Sequence, residues 1–254
     1  MKYIESESNP SIKQWKKLHT KKEREKTGTF LLEGPHLVEE AISSGAKLVH
    51  IIIEENFEIQ EDWLKEKFIL WSVSSKLMKM LSETEKPQGI IAVCEMQPEP
   101  DELLKENGRY LFVDGVQDPG NLGTIIRTAD SAGLNGVILG EGTADLYNGK
   151  TVRSTQGSLF HLPIVKRDLQ TALYECKSLN IPVYSTSLQN AVDMREVPES
   201  DGFALIVGNE GAGVQQSLQN ESTMNVKIPI FGKAESLNVS VATGILLYEL
   251  QRKR

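Results

Sequence analysis

The sequence predicts an α/β protein in two domains, and three observations carry that reading. Short, β-branched apolar runs such as KLVHIII (47–53) and FALIVGN (203–209) alternate with stretches of helical periodicity. The alternation occurs twice, on either side of QPEPDELLKENGR (97–109), where two prolines, several charges and a glycine mark a linker. A chain of 254 residues is long enough to bury two cores.

In the first half, 11–26 reads as one amphipathic helix, with Ile12, Trp15 and Leu18 at helical intervals and basic residues between them. FLLEG (30–34) is a strand ending in a turn, and HLVEEAI (36–42) a helix stopped by Gly45. KLVHIII is a strand, 61–67 a helix, FILWSV (68–73) extended, SKLMKMLSE (75–83) a helix and QGIIAVCEM (88–96) a strand. Residues 1–96 thus form a small domain, and 97–109 a linker whose centre, DELLKEN, fits a short helix. The second domain is 110–254. YLFVDGV is a buried strand, NLGTIIRTADSAG (121–133) a helix and GVILG (136–140) a strand. Residues 155–160 are helical, LPIV is a strand and DLQTALYECKSLN (168–180) a helix. IPVYSTS (181–187), FALIVGN and MNVKIPI (224–230) are extended, and a last helix runs from about 238 to 251. Strands alternating with helices imply a parallel sheet covered on both faces.

Composition narrows the function. No apolar run approaches the roughly 20 residues needed to span a membrane, and the N-terminus lacks an apolar signal core, so a cytoplasmic protein is expected. Cys94 and Cys176 form neither a metal-ligand pattern nor a disulfide framework. A net charge of −7 argues against a nucleic-acid partner, but the charge is uneven. Residues 13–26 carry seven Lys or Arg against two Glu, and the chain ends in QRKR. A local basic face matters more to phosphate binding than the global sum.

Three stretches could carry chemistry. In DGVQDPGNLGTIIRTADSAG (114–133) a strand ends, the chain turns through Pro119 and Gly120, and a helix begins near Asn121. A helix start after a strand's carboxyl end is where α/β sheets bind ligands. Arg127, in a largely uncharged helix, is either a buried ion-pair partner or an anion clamp. In FALIVGNEGAGV (203–214) a strand runs into Gly208, Gly211 and Gly213, with Glu210 among them. The spacing is not G-x-G-x-x-G, which argues against a nicotinamide-dependent oxidoreductase. In KIPIFGKAESLNVSVATGILLYEL (227–250), Ser236, Asn238, Ser240 and Thr243 load a helix start with more hydrogen-bonding groups than one cap requires. All three stretches follow strands of one α/β unit, and together they favour a site for a nucleotide-like ligand.

NLGTIIR (121–127), IVGNEGAG (206–213) and IPI…SLNVSVA (228–242) resemble, in order and spacing, the three motifs of the SpoU/TrmH branch of the SPOUT RNA 2′-O-ribose methyltransferases. NPSIKQWKKL and FLLEGPHLVEEAI resemble the small ribosomal-protein-like substrate-binding domain that precedes the catalytic domain in many members. The resemblance implies a SPOUT-type parallel-sheet domain with a C-terminal trefoil knot. It implies S-adenosylmethionine held there largely by main-chain groups around Gly208, Glu210, Gly211, Ile228, Ile230 and Leu237. It implies a homodimer, no metal, and Asn121, Arg127, Glu210, Ser236 and Asn238 as catalytic-site residues. The basic segment, Lys13, Lys16, Lys17, Lys21, Lys22 and Arg24, then becomes an RNA grip. The expected reaction is ribose 2′-O-methylation of structured RNA, with ribosomal RNA favoured over transfer RNA. A non-catalytic RNA-binding or assembly protein keeping the fold is the alternative.

Overall fold

The computed structural model describes residues 1–59, 63, 68–100 and 102–252. It divides into two compact units, Met1–Pro98 with Asp145–Phe160, and Glu99–Ala144 with His161–Arg254. The chain passes from the first unit to the second at 98/99, and the segment 145–160 packs with the first unit. Tyr147 packs against Phe30 with ring centroids 4.6 Å apart and planes tilted by 45°, and Asp145 binds Arg24 at 2.6 Å.

The first unit holds a mixed five-stranded sheet. Its strands are β1 (Lys2–Ile4), β2 (Thr29–Glu33), β3 (Leu48–Glu54), β4 (Ile69–Val73) and β5 (Ile90–Glu95), in the order β1-β4-β3-β5-β2. β1, β4 and β3 run parallel; β5 is antiparallel to both β3 and β2. Helices α1 (Pro10–Lys17) and α4 (Ser75–Leu81) bury Ile12, Trp15, Leu77, Met78 and Leu81 against Ile52, Val73, Ile91 and Val93 of one sheet face. The helix expected over 11–26 is two helices, α1 and α2 (Lys21–Thr27). Thr20 adopts extended dihedrals between them, and its hydroxyl donates to the Lys17 carbonyl. Leu18 and the bonded ring of His19 anchor the turn. Helix α3 (Pro35–Ser43) follows β2. Helix α6 (Gly149–Thr155) packs on β2, followed by a 3₁₀ turn at Ser158–Phe160, in place of the single helix expected over 155–160. The helix expected over 61–67 falls, apart from residue 63, outside the described residues, as do the last two residues of QRKR. Residues 102–105 are not helical.

The second unit is a fully parallel seven-stranded sheet: β6 (Arg109–Asp114), β7 (Gly136–Leu139), β8 (Ile164–Lys166), β9 (Val183–Thr186), β10 (Val192–Asp193), β11 (Phe203–Gly208) and β12 (Met224–Lys227). The order is β10-β12-β9-β11-β6-β7-β8. Helices α7 (Leu169–Ser178) and α8 (Gln216–Glu221) seal a core of Tyr110, Phe112, Ile138, Val183, Ala204 and Ile206. Helices α5 (Pro119–Ser131) and α9 (Val239–Arg252) pack on each other and on the sheet. The short β1, β10 and α8 have too little pattern to be legible in sequence. β6 and β11 lie side by side, with Gly208 opposite Asp114. From β6 the chain leaves towards β7, from β11 towards β12, in opposite directions along the sheet. This is the topological switch point, where open α/β sheets bind ligands at their carboxyl ends. No helix among the described residues is long and apolar enough to cross a membrane.

Candidate active site

The loops after β6, β11 and β12 meet at that switch point. α5 begins two residues earlier than its sequence suggests, because Asp118 and not Asn121 is the N-cap: its Oδ1 accepts from the Asn121 N–H at 2.9 Å. The Asn121 side chain is thereby released for longer-range bonds. Its Nδ2 donates to Glu210 Oε1 at 3.0 Å, and its Oδ1 accepts from Asn238 Nδ2 at 3.0 Å. Chemistry fixes the orientation of the chain. An ionised carboxylate only accepts, so Nδ2 of Asn121 must face Glu210, which leaves its oxygen for the amide of Asn238. Asn238 Oδ1 is then free to cap α9, accepting from the Ser240 N–H at 2.9 Å and the Ser240 hydroxyl at 2.6 Å. The excess of polar groups at the start of α9 thus serves two ends: one caps the helix, the other ties it to α5.

Glu210 is a brace. Oε1 accepts from the main-chain N–H of Asp118 and Oε2 from that of Gln117, both at 3.1 Å, besides the bond from Asn121. Partial burial pushes its pKa up, but the bonds from Asn121 and from the main-chain N–H groups of Gln117, Glu210 and Asp118 outweigh this and hold it below the ordinary value. The loop that carries it is rigidly built. A Cβ on Gly208 would lie 2.1 Å from the Gly213 carbonyl carbon, so only glycine fits there. Asn209, which sequence reasoning passes over, accepts at Oδ1 from the Gly211 and Ala212 N–H groups at 2.9 Å, and donates from Nδ2 to the Gly115 carbonyl at 2.8 Å. Sequence reasoning misses Asp114 and Gln215 as well: the Asp114 carboxylate accepts from the main-chain N–H of Gln215 at 2.7 Å and from its side chain at 2.6 Å. An Asn directly after a strand-ending Gly is the available signal for the first; nothing in sequence marks the second pair.

Asn121, Glu210 and Asn238 are therefore brought into one hydrogen-bonded chain. Arg127 and Ser236 are not joined to it. Arg127 is exposed on α5, and no ion pair or hydrogen bond engages its guanidinium among the described residues, which removes the buried-pair reading. Ser236 is exposed in the segment between β12 and α9. Across 229–237 no hydrogen bond forms among the described residues, with main chain or side chain. Ile228 and Ile230 are half-buried there, and Leu237 is 37% exposed. Free main-chain donors and acceptors beside apolar side chains suit an adenosyl group, so these residues fit S-adenosylmethionine. Among the described residues no cluster of three or more His, Cys, Asp or Glu could hold a metal ion.

One expected RNA contact is corrected. Arg24 is 3% exposed, with its guanidinium on Asp145 Oδ2 at 2.6 Å and the Leu18 carbonyl at 2.8 Å. It cannot reach a phosphate. Lys13, Lys16, Lys17, Lys21 and Lys22 are exposed, Lys21 within 3.7 Å of Glu25.

Residues 108–248 match the model of the SpoU rRNA methylase family, and residues 9–92 that of an MRM3-like substrate-binding domain. The chain is 51% identical to the 23S rRNA (guanosine(2553)-2′-O)-methyltransferase RlmP of Bacillus subtilis, over 99% of this chain and 100% of that one. It superposes with a TM-score of 0.90 and 34% identity on an AdoMet-bound rRNA methyltransferase from Sinorhizobium meliloti, covering 99% and 97% of the two chains. For the SpoU methyltransferase AviRb from Streptomyces viridochromogenes in complex with AdoMet, the values are 0.87 and 28%, covering 96% and 97%. Fold and site thus define an S-adenosylmethionine-dependent RNA methyltransferase of the SPOUT type. The chain belongs to the SpoU rRNA methylase family. Its reaction is methylation of a ribose 2′-oxygen in RNA.

Proposed function

We propose that the protein methylates the ribose 2′-oxygen of one guanosine in 23S rRNA, the counterpart of the nucleotide in the name of its B. subtilis relative. Identity of 51% along the whole of both chains supports the shared target. The observation that carries the chemistry is that the element bearing the unpartnered guanidinium of Arg127, α5, and the element that follows the unbonded stretch 229–237, α9, are tied together at their starts by Asn121 and Asn238, with Glu210 bracing Asn121.

S-adenosylmethionine supplies an electrophilic methyl group on sulfur. Glu210, Gly211, Gly208, Ile228, Ile230 and Leu237 form its seat. A ribose hydroxyl is a weak nucleophile at neutral pH, so alignment is the largest contribution: positioning supplies about 7–11 kcal/mol in well-oriented reactions. A guanidinium is not deprotonated in proteins, which leaves Arg127 a clamp and not the base. It clamps the phosphate next to the target ribose with its planar fork and stabilises charge developing on the 2′-oxygen. Ser236 hydrogen-bonds at the target nucleotide. Asn121 and Asn238 keep the α5 and α9 termini in register.

The exposed lysines of α1 and α2 grip RNA phosphates. The last motifs form the family's trefoil knot, and Val241, Ile245 and Tyr248, exposed at helical spacing on α9, form part of a homodimer contact. The protein works in the cytoplasm, where ribosomal RNA is its substrate. The test is to map 2′-O-methylation across 23S rRNA from cells with and without the gene. One guanosine loses its mark in the deletion and regains it with the wild-type gene but not with Arg127→Ala. An unchanged 23S map, or loss of a transfer-RNA mark instead, contradicts the assignment.

A further inference from the structure

Loop 209–215 is tied at its far end by two residues that no step above uses. Asp114 ends β6, is 3% exposed, and accepts two bonds from Gln215, one from the main chain and one from the side chain. At 2.7 and 2.6 Å both lie at the short end of charge-assisted hydrogen bonds. No cation pairs with Asp114 among the described residues, although a buried carboxylate ordinarily demands one. Gln215 stands at the N-cap position of α8, yet its side chain makes no capping bond. It is committed to Asp114 instead.

The connectivity gives this pair its leverage. Asp114 leads into Gly115, whose carbonyl holds Asn209, and on to Gln117 and Asp118, whose N–H groups hold Glu210. The segment 114–118 and the loop 209–215 are thus laced together at three points. Without the Asp114–Gln215 link the loop keeps its ties at Asn209 and Glu210 and its own Asn209–Gly213 bridge, but loses the two bonds that hold its far end to the end of β6.

We propose that Asp114 and Gln215 are positioning residues for methyl transfer, a two-bond clamp that sets the seat of Glu210 and Gly211 against the end of β6. The proposal rests on the methyltransferase reading above.

The test uses the full-length protein, calorimetric titration with S-adenosylmethionine, and single-turnover methylation of a 23S rRNA transcript. In Gln215→Glu two carboxylates face each other, and the cofactor Kd rises about tenfold or more. Asp114→Ala, which leaves the Gln215 N–H unsatisfied, behaves alike. In Asp114→Asn the Gln215 amide turns over and accepts from the new amide, so Kd stays within about threefold of wild type. The double variant Asp114→Asn/Gln215→Glu rebuilds the pair with donor and acceptor exchanged, and recovers most of the loss. Gln215→Ala keeps the main-chain bond and stays folded if Gln215→Glu does not; its Kd rises about threefold. A purely structural role would lower the binding stoichiometry and the Tm while the folded fraction kept the wild-type Kd. That result, or a double variant no better than Gln215→Glu, overturns the proposal. Failure of the wild-type protein itself to bind cofactor or methylate RNA would instead overturn the functional reading beneath it.

Discussion

Arg24 and Arg127 carry the same guanidinium into opposite settings. Arg24, on the first unit's α2, is enclosed with Asp145 and the Leu18 carbonyl. Around it the unit closes its polar groups on one another: Glu33 accepts from Ser82, Thr84 and Arg153, and Glu83 from His19. Arg127, on the second unit's α5, is exposed and unengaged, and the stretch 229–237 leaves its main-chain groups equally open. Buried polar groups are satisfied within a fold as a rule. Arg127 and most of 229–237 are exposed, so water meets their polar groups in the free protein, and a ligand can displace that water without breaking an internal bond. On the proposed reading these ligands are a substrate phosphate and the cofactor.

The contrast is sharpest in paired substitutions. Arg127→Ala lowers single-turnover methyl transfer about 10²–10³-fold, the scale of losing one preorganised charge stabiliser. Its cofactor Kd and Tm stay at wild-type values, and Arg127→Lys recovers little because the fork is lost. Arg24→Ala does the reverse. It leaves Asp145 without its cation, destabilises the fold by about 3–5 kcal/mol, and lowers the denaturant midpoint, while the folded fraction transfers methyl normally. If Arg24→Ala impaired transfer without unfolding, the division between the two arginines would fail.

Next in size is the RNA grip. Reversing the charge of Lys16, Lys17, Lys21 and Lys22 weakens binding to the 23S rRNA fragment and flattens its dependence on salt. The log–log slope falls by about 0.7–0.9 for each phosphate that a lysine no longer neutralises. An unchanged slope removes these lysines from the interface. Asn238→Ala follows. It removes both the α9 cap and the tie to Asn121, with a cap loss of about 0.5–2 kcal/mol read by thermal unfolding, and a weaker cofactor Kd read by calorimetry.

The smallest effect is a pH dependence. The folded pKa of Glu210 lies below 4.5, because the donated hydrogen bonds outweigh its burial. A depressed carboxyl contributes stability that is complete above the unfolded value and lost as pH falls through the folded one. Folding stability is therefore flat from neutral pH down to the ordinary carboxyl range as far as this group is concerned, and declines only on further acidification, which thermal unfolding reads. Glu210→Gln places an amide N–H against the Gln117 or Asp118 N–H, weakens binding modestly at neutral pH, and removes the acid-side decline. A decline of stability centred above the ordinary carboxyl value would contradict the direction of the shift.

Much of this is legible in sequence, and the gaps have physical causes. The strands of the second unit are long β-branched runs, and periodicity exposes them; β10, two residues long, has no period to read. The three motif loops can be set at strand ends, but not in contact, because strand order is a tertiary property. Arg24 reads as part of the basic face since its neighbours, Lys21, Lys22 and Lys26, are exposed and only its own position faces inward. The partner that draws it in, Asp145, lies 121 residues away on a segment that leaves its expected domain. Asn121 is readable as a catalytic-site residue through the family resemblance, but its bonds are not: Asp118 caps the helix, which frees Asn121 to reach Glu210 and Asn238.

The central claim is that open main-chain groups between β12 and α9 hold the cofactor. Amide hydrogen exchange, with and without S-adenosylmethionine, tests it most directly. The amides of 230–237 should exchange rapidly in the free protein and slow markedly when cofactor is added, while α6 and the charge network of the first unit remain unchanged. Cofactor binding that left 230–237 unprotected, or that protected some other segment instead, would contradict the account.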